Sequence, residues 1–499
     1  MSNKYQLPNQ ARIFQNWVGG TWKPSASGKT FNRISPGHGQ EVGQYPLSQE
    51  EDTIEAIQVA KASFEQGLWK DMSGIDRSKI VGRVAEIIRQ RSEELALIEC
   101  LESGKPISQA QDEMEWAAGI WDFAATMCRH IQGGANTNLG PDMTVMTIKE
   151  PAGVVGMITP WNFPLLIISQ KLPFALAAGC SAVIKPSEMT PGTTLLLGEI
   201  CQQAGVPDGV VNVLSGYGNP VGTTLSSHAD IDMVTFTGST QVGRMIAKSA
   251  ADTLKKVELE LGGKNPQLVF PDADLDVLVD AVVFGIFFNM GECCNSGSRI
   301  IIHESLKEAF VEKVVAHAKK MKFGDPLDPT VKMGAIINQQ QCDKIMHYIH
   351  SGEEQGARLV LGGRKLDTPD GLFIEPTIFA DVSPEMDIAK EEIFGPVLSV
   401  ITFSTTEEAI AIANGTEFGL SSGVWTKDIN TAMMVSRKIV AGTVWINNWM
   451  SGFPEVPFGG MKQSGLGREL GVHSVDEYLE TKSILIQTNP TAGNWTTGE

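Results

Sequence analysis

"GVVGMITPWNFP", Gly153–Pro164, decides how this chain of 499 residues is read. Its first half is a run of Val, Met and Ile with strand character. Two prolines then bracket Trp161, Asn162 and Phe163 and hold them extended, since proline fixes its own φ and restricts the residue before it. An apolar helix is expected over Leu165–Ala177. "SAVIK" (Ser181–Lys185) is the next strand, and "TTLLLGEICQQAG" a helix opened by Thr190 as N-cap with Pro191 in its first turn. "GVVNVL", "MVTFTG" and "KVELEL" add three strands, with a helix from about Ser239 to Ala250. Short β-rich runs alternating with helices predict a mostly parallel sheet covered on both faces.

The same reading extends outward. Glu50–Gln66 and Ile75–Cys100 repeat apolar residues three and four apart and predict helices, and a third is expected over Gln111–Arg129. Met143–Lys149 alternates like a strand. Beyond Gly262–Gly263 a second α/β unit is expected, with helices at Leu275–Asn289 and Glu304–Lys322. Its strands are "RIIIH", "ARLVLGG", "VLSVITF", "SSGVWT" and "GTVWIN". "PFGGMKQSGLGRE" (Pro457–Glu469) is a glycine-rich loop, and the last twenty residues read as a polar, weakly ordered tail.

Charge and cysteine usage narrow the functional classes. Against 40 Lys and Arg stand 58 Asp and Glu, a net charge of -18, which repels nucleic acid and anionic membrane. The N-terminus has no signal-like segment. The apolar region Pro151–Lys185 is broken by Pro160, Asn162, Pro164, Gln170, Lys171 and Pro173, so a cytoplasmic location is expected. Cysteines at 100, 128, 180, 201, 293, 294 and 342 follow no disulfide or zinc spacing, so no metal is expected. Cys293 and Cys294 are neighbours in the polar loop "NMGECCNSGSR". One can pack inward while the other faces a cleft, where exposure and a nearby base would make it a nucleophile.

Other segments supply company for that pair. In "FTGSTQVG", Gly238, Ser239 and Gly243 sit where a strand turns into a helix, which suits a pyrophosphate and equally suits a plain tight turn. In "IKPSE", Lys185 and Glu188 stand at a strand's carboxyl edge, where open sheets bind ligands. A carboxylate there favours NAD over NADP, because it repels a 2'-phosphate. Glu260 in "LELGGK" ends a strand before two glycines, and a buried glutamate needs a partner or a chemical role. Asn162, clamped between aromatics, suits an N–H donor aimed at an oxyanion, or else ties its own turn.

"PWNFP", "IKPSE", "FTGSTQVG", "LELGGK", "NMGECCNSGSR", "EEIFGPV" and "PFGGMKQSGLGRE", in this order, resemble the NAD(P)-dependent aldehyde dehydrogenase superfamily over about Phe14–Ser483. The resemblance implies Cys294 as nucleophile, Glu260 as general base and Asn162 as oxyanion donor. Cofactor contacts are implied at Trp161, Lys185, Glu188, Gly238, Ser239, Gly243, Leu261, Glu392 and Phe394, on a sheet that lacks the usual dinucleotide fingerprint. Lys171 and Glu469 match positions proposed to carry protons outward, although taken alone they read as a helix-surface lysine and a loop carboxylate. Gln341 and Lys344 resemble ribose-side contacts. Glu292 departs from the neutral residue many relatives carry before the cysteines, and its side chain is expected to point away from the site.

The implied architecture is two open α/β domains, a variant Rossmann-like cofactor domain (1–130 and 151–262) and a catalytic domain (263–477). An oligomerisation arm and tail (131–150 and 478–499) complete it. The implied activity is NAD-dependent oxidation of an aldehyde to its acid. Phe163, Phe288, Trp449 and Phe453 are expected at the substrate channel. Gln170 and Phe458 replace aromatics common among betaine-aldehyde enzymes, which tilts the reading toward a phenylacetaldehyde-like or medium aliphatic substrate, with betaine aldehyde or an aminoaldehyde as alternative. Glu260 argues against an acylating, coenzyme A-dependent enzyme. The intact Cys294, Glu260 and Asn162 argue against an inactive structural or binding protein. A homotetramer built as a dimer of dimers is expected.

Overall fold

The computed structural model describes residues 5–368, 370–490, 495 and 496; the end of the polar tail lies partly outside them. Eight strands form the first sheet, in the order Gly465–Leu466, Lys256–Glu260, Met233–Thr237, Val154–Ile158, Ser181–Lys185, Val211–Val213, Asn16–Val18 and Thr21–Lys23. The five central strands, Lys256–Glu260 to Val211–Val213, are parallel and the outer pairings antiparallel. Alternate residues face opposite sides. Val155, Met157, Ala182 and Ile184 join a core with the helices Gly74–Gln90, Ile107–Met127 and Pro164–Ala178. Val154, Val183 and Val234 pack instead against the helices Glu50–Glu65 and Thr240–Ala251. Burial on both faces explains why these strands are apolar runs rather than alternating ones.

From Val154–Ile158 the chain moves outward through Ser181–Lys185 and Val211–Val213. It then returns to lay Met233–Thr237 and Lys256–Glu260 on the other side. The order therefore reverses between Val154–Ile158 and Met233–Thr237, and such a reversal opens a crevice at the carboxyl ends of the strands. The loops carrying Asn162 and Ser239 leave the sheet there.

The second sheet has seven strands, ordered Arg358–Leu361, Thr377–Ala380, Val397–Phe403, Arg299–His303, Pro266–Val269, Ser421–Trp425 and Thr443–Ile446. Only the first pairing is antiparallel. A third, antiparallel sheet joins Leu479–Gln487, Met143–Pro151 and Gly134–Asn136 into an arm. Among the described residues, no helix is long and apolar enough to cross a membrane.

Some local expectations are corrected. Thr190 does not cap its helix, which spans Gly192–Ala204 with Pro191 at the N-cap. Its hydroxyl instead donates to the Trp161 carbonyl at 3.2 Å. The helix from Leu275 stops at Phe287, because Asn289 and Met290 adopt positive φ and cannot continue it. The expected Glu304–Lys322 helix is a short 3₁₀ turn followed by Lys307–Ala318.

Trp449 locks the second unit together, with its indole seated on Gly285, Gly297 and Gly423. A Cβ at Gly285 would stand 2.4 Å from the indole Cδ1. Gly285→Ala should therefore overpack this core by about 1–3 kcal/mol and lower the apparent Tm, as read by differential scanning fluorimetry. An unchanged Tm would show that the indole can move aside freely.

Candidate active site

The cysteine loop is fixed from both units. The Asn162 side-chain amide donates to the Glu292 carbonyl at 3.1 Å. Asn289 donates to the same carbonyl at 3.0 Å and to the Asn162 carbonyl at 3.1 Å. From the other side Asn265 donates to the carbonyls of Cys294 at 2.7 Å and Ser296 at 2.9 Å. Asn162 is thus buried against the loop that carries the sulfurs. The motif reading had left Asn265 without a role and treated Asn289 only as a helix end. The signals were present, an Asn directly after "LGGK" and another at a helix terminus, yet neither reveals which carbonyls it holds.

Cys293 is buried and Cys294 partly exposed. Cys293 packs with Phe163, Ile167 and Phe288. The Cys294 thiol is held above its ordinary range first by its contact with the Cys293 thiol, then by burial, then by the charges of Glu260 and Glu392. Glu292 points away from this site: its Oε1 accepts from Ile337 N–H at 3.1 Å, and burial pushes its carboxyl well above the usual range.

Glu260 ends its strand in the interior, and neither carboxylate oxygen has a partner among the described residues. Burial, followed by the nearby Glu469, holds it well above the usual carboxylate range. Gly262 and Gly263 follow because the backbone passes too close to its neighbours for any side chain. A Cβ would stand 2.5 Å from Glu392 Oε2 at the first and 2.7 Å from the Cys294 carbonyl at the second. Gly263 N–H also donates to Glu392 Oε1 at 2.9 Å, tying "LELGGK" to "EEIFGPV".

Lys171 and Glu469 form a buried ion pair, so the reading of them as a surface lysine and a loop carboxylate is corrected. They are 298 positions apart in sequence and meet only through the fold. Lys171 also donates to Thr235 Oγ1 at 2.7 Å. Burial alone would lower the Lys171 pKa, but the carboxylates of Glu469, Glu258 and Glu260 outweigh it and hold the ammonium charged.

Along the crevice, Lys185 is buried and donates to the Pro186 carbonyl at 2.8 Å, with Glu188, partly exposed, 3.6 Å away. Gly238 N–H donates to the Glu260 carbonyl at 3.0 Å. Ser239 caps the Thr240–Ala251 helix by accepting from Val242 N–H. A Cβ at Gly243 would lie 2.5 Å from Leu261, so Leu261 covers the first turn of this helix. The Trp161 and Phe394 rings meet edge-on at 5.3 Å, and Gln341 donates to the Phe394 carbonyl at 2.7 Å. A buried ammonium and a partly exposed carboxylate beside a helix start suit a dinucleotide without a 2'-phosphate.

The aromatic candidates divide. Phe163 and Phe288 stack at 5.9 Å, joined by Phe284 and Trp116. Lys105 lies 4.6 Å over Phe163, its charge matched by Glu113 at 2.5 Å. Trp449 sits in the core of the second unit, Met450 packs against the Phe163–Phe288 group in its place, and Phe453 is exposed.

Residues 22–484 match the aldehyde dehydrogenase family. The chain belongs to that family. An NAD-dependent aldehyde dehydrogenase of Sinorhizobium meliloti superimposes with a TM-score of 0.96 at 47% identity, covering 97% of this chain and 96% of that one. Indole-3-acetaldehyde dehydrogenase of P. syringae, solved with NAD+, gives 0.94 at 40% identity over 96% and 97% of the two chains. Betaine aldehyde dehydrogenase of Bacillus subtilis is 40% identical over 96% of this chain and 98% of its own. This aldehyde dehydrogenase is NAD-dependent, and its eight-stranded sheet, seven-stranded sheet and arm sheet belong to the NAD-binding domain, the catalytic domain and the oligomerisation arm of the family.

Replacing Cys293 removes the contact that most strongly holds the neighbouring thiol protonated. In Cys293→Ala, alkylation of Cys294 by iodoacetamide in the cofactor-free enzyme should begin at lower pH. Peptide mass spectrometry across a pH series reads this directly, and an onset moved upward would contradict the assignment.

Proposed function

We propose that this aldehyde dehydrogenase oxidises a small cationic aldehyde, betaine aldehyde or an aminoaldehyde, with Cys294, Glu260 and Asn162 as its catalytic groups. The observation that carries the substrate reading is the pair Phe163 and Phe288 beside Cys293, with the half-exposed rings of Trp116 and Phe284 set against Phe288. Aromatic faces attract quaternary and primary ammonium groups, and a net charge of -18 draws cations toward the protein. The betaine-aldehyde relative supports the same class. Sequence alone tilted toward phenylacetaldehyde. An aryl substrate stays as the second reading because the Phe163–Phe288 stack also suits a flat ring, as does the indole-3-acetaldehyde relative.

In this mechanism the Cys294 thiol gives up its proton to water and the sulfur bonds to the aldehyde carbon, the carbonyl π pair moving to oxygen. Asn162 uses one side-chain N–H to hold the Glu292 carbonyl, and its second N–H, with the Cys294 backbone N–H, receives the developing oxyanion. Lys185, Glu188, Ser239 and Glu392 would hold NAD, which when bound would supply the hydride acceptor for the carbon on Cys294, whose oxidised form is the thioester. Glu260 then takes a proton from water as the hydroxyl oxygen attacks the thioester carbon. The acid departs and the sulfur regains its proton. With a carboxyl held above its usual range, Glu260 is ionised only toward higher pH, so deacylation should accelerate as pH rises through that value.

Steady-state kcat/KM for betaine aldehyde, 4-aminobutyraldehyde, phenylacetaldehyde and hexanal separates the substrate readings. The cationic pair should lead, Phe288→Leu should reduce their kcat/KM by about tenfold, and a clear lead for phenylacetaldehyde would reverse the order of the readings. Glu260→Gln should give one NADH burst and then stall with acyl-enzyme trapped; absence of both would assign Glu260 an earlier role. The exposed Met146, Ile484, Leu485 and Ile486 on the arm support assembly as a dimer-of-dimers tetramer, because an unpaired apolar edge seeks a partner. A native mass of one chain would reject it.

A further inference from the structure

Glu258 has no part in the mechanism above, yet it is buried beside it. It stands two residues before Glu260 on the same strand, so both side chains leave the same face of the sheet, while Leu259 between them faces the opposite core. Its Oε2 lies 3.9 Å from the Lys171 ammonium and accepts from the Tyr478 hydroxyl at 3.4 Å. Its stem and the carboxylate of Glu477 converge on Gly467. A Cβ built on that glycine would stand 3.1 Å from Glu258 Cγ and 3.6 Å from Glu477 Oε1. Glu477 is partly exposed. Glu258 thus lies beside the Lys171–Glu469 pair on one side, and on the other its stem meets Gly467, where the partly exposed Glu477 carboxylate also approaches.

We propose that Glu258 carries the proton released during thioester hydrolysis from the Lys171–Glu469 pair to Glu477 and out of the protein. The inference rests on the reading of Glu260 as the hydrolytic base. The proton that Glu260 takes from water moves to the Lys171–Glu469 pair. Lys171 passes a proton to the Glu258 carboxylate and regains one from Glu469, so the ammonium ends unchanged. Glu258 gives its proton to Glu477, which releases it to water, and every carboxylate returns to its starting charge.

The groups around Glu258 are Lys171 from the Pro164–Ala178 helix, Glu469 from the glycine-rich loop, Glu477 and Tyr478 from the turn before the arm, and Glu260 on its own strand, with Lys256 and Arg468 acting on Glu477 beyond it. Its charge acts on each neighbouring acid. Glu469 is pushed up to about 7 by burial, opposed by Lys171 and reinforced by Glu258. Glu477 is raised first by burial and then by Glu258.

Two roles for Glu258 make opposite predictions. As a fixed charge alone, its removal would lower the Glu260 pKa and shift the pH profile of deacylation to lower pH with the plateau unchanged. As a carrier, its removal also lowers the plateau. The experiment mixes enzyme, NAD and hexanal, quenches over time, and reads the decay of acyl-enzyme by intact mass at several pH values in H2O and D2O. Glu258→Gln should cut the plateau rate by about tenfold and enlarge the solvent isotope effect, with the NADH burst unchanged. Glu477→Gln should do the same more weakly, the double variant should be no slower than Glu258→Gln, and Glu258→Asp should recover part of the rate.

An unchanged plateau in Glu258→Gln overturns the proposal, and so does an equal fall in burst rate and deacylation, which marks a structural role. Glu260→Gln run alongside separates the two levels. If it stalls deacylation while Glu258→Gln does not, only the relay extension fails. If Glu260→Gln does not stall, the base assignment itself fails.

Discussion

One buried ammonium faces three buried carboxylates. Lys171 holds Glu469 directly, has Glu258 at 3.9 Å, and feels the charge of Glu260. Removing any of these charges from water costs several kcal/mol, and the ion pair offsets that cost only where geometry and hydrogen bonds are good. Lys171 meets that condition through Thr235 and Glu469, whereas neither Glu260 oxygen has a hydrogen-bond partner among the described residues. Structural packing would not leave a carboxylate so placed, since an apolar side chain would fill the space more stably. The fold keeps a poorly stabilised carboxylate near a well-stabilised cation, and in the proposed mechanism that asymmetry gives a proton somewhere to go.

The position of this cluster follows from sheet topology. Strand order reverses between Val154–Ile158 and Met233–Thr237, so the loops after these strands splay apart and open the crevice. The second unit supplies the cysteine loop across that opening. Three asparagines hold it by backbone carbonyls on either side of the sulfurs. Because the bonds go to main chain, they fix where the loop lies without engaging either thiol. Cys293 then turns toward Phe163 and Phe288, and Cys294 is left toward the cleft.

Much of this was legible because short-range chemistry announces itself. The proline clamp around Asn162, the double glycine after Glu260, and the vicinal cysteines in a polar loop all limit local conformation in ways a sequence displays. The strand–helix alternation gave the parallel sheets, and the motif order gave the family. Contacts that depend on distant chain were not legible. Lys171 and Glu469 looked like surface groups because nothing local shows that the loop folds back over the helix. Thr190 had the right chemistry for an N-cap, yet its hydroxyl was taken by Trp161. Glu258 has no motif of its own; the approach of Lys171 from a helix and Tyr478 from the turn before the arm gives it company. Trp449 looked like a channel residue by position, but three glycines form a seat for it inside the second core.

The electrostatics also order the chemistry in time. Both Cys294 and Glu260 are held above their ordinary ranges, and the charge of Glu260 contributes to the shift of Cys294. Two anions so close in a buried cleft repel strongly, so the site favours one negative charge at a time. In the proposed mechanism that charge belongs during acylation to sulfur and then to the oxyanion. A sulfur tied up in a thioester cannot ionise, so its repulsion no longer acts across the cleft. On that reading, consumption of the thiolate favours ionisation of Glu260, the proposed base for the second half of the reaction.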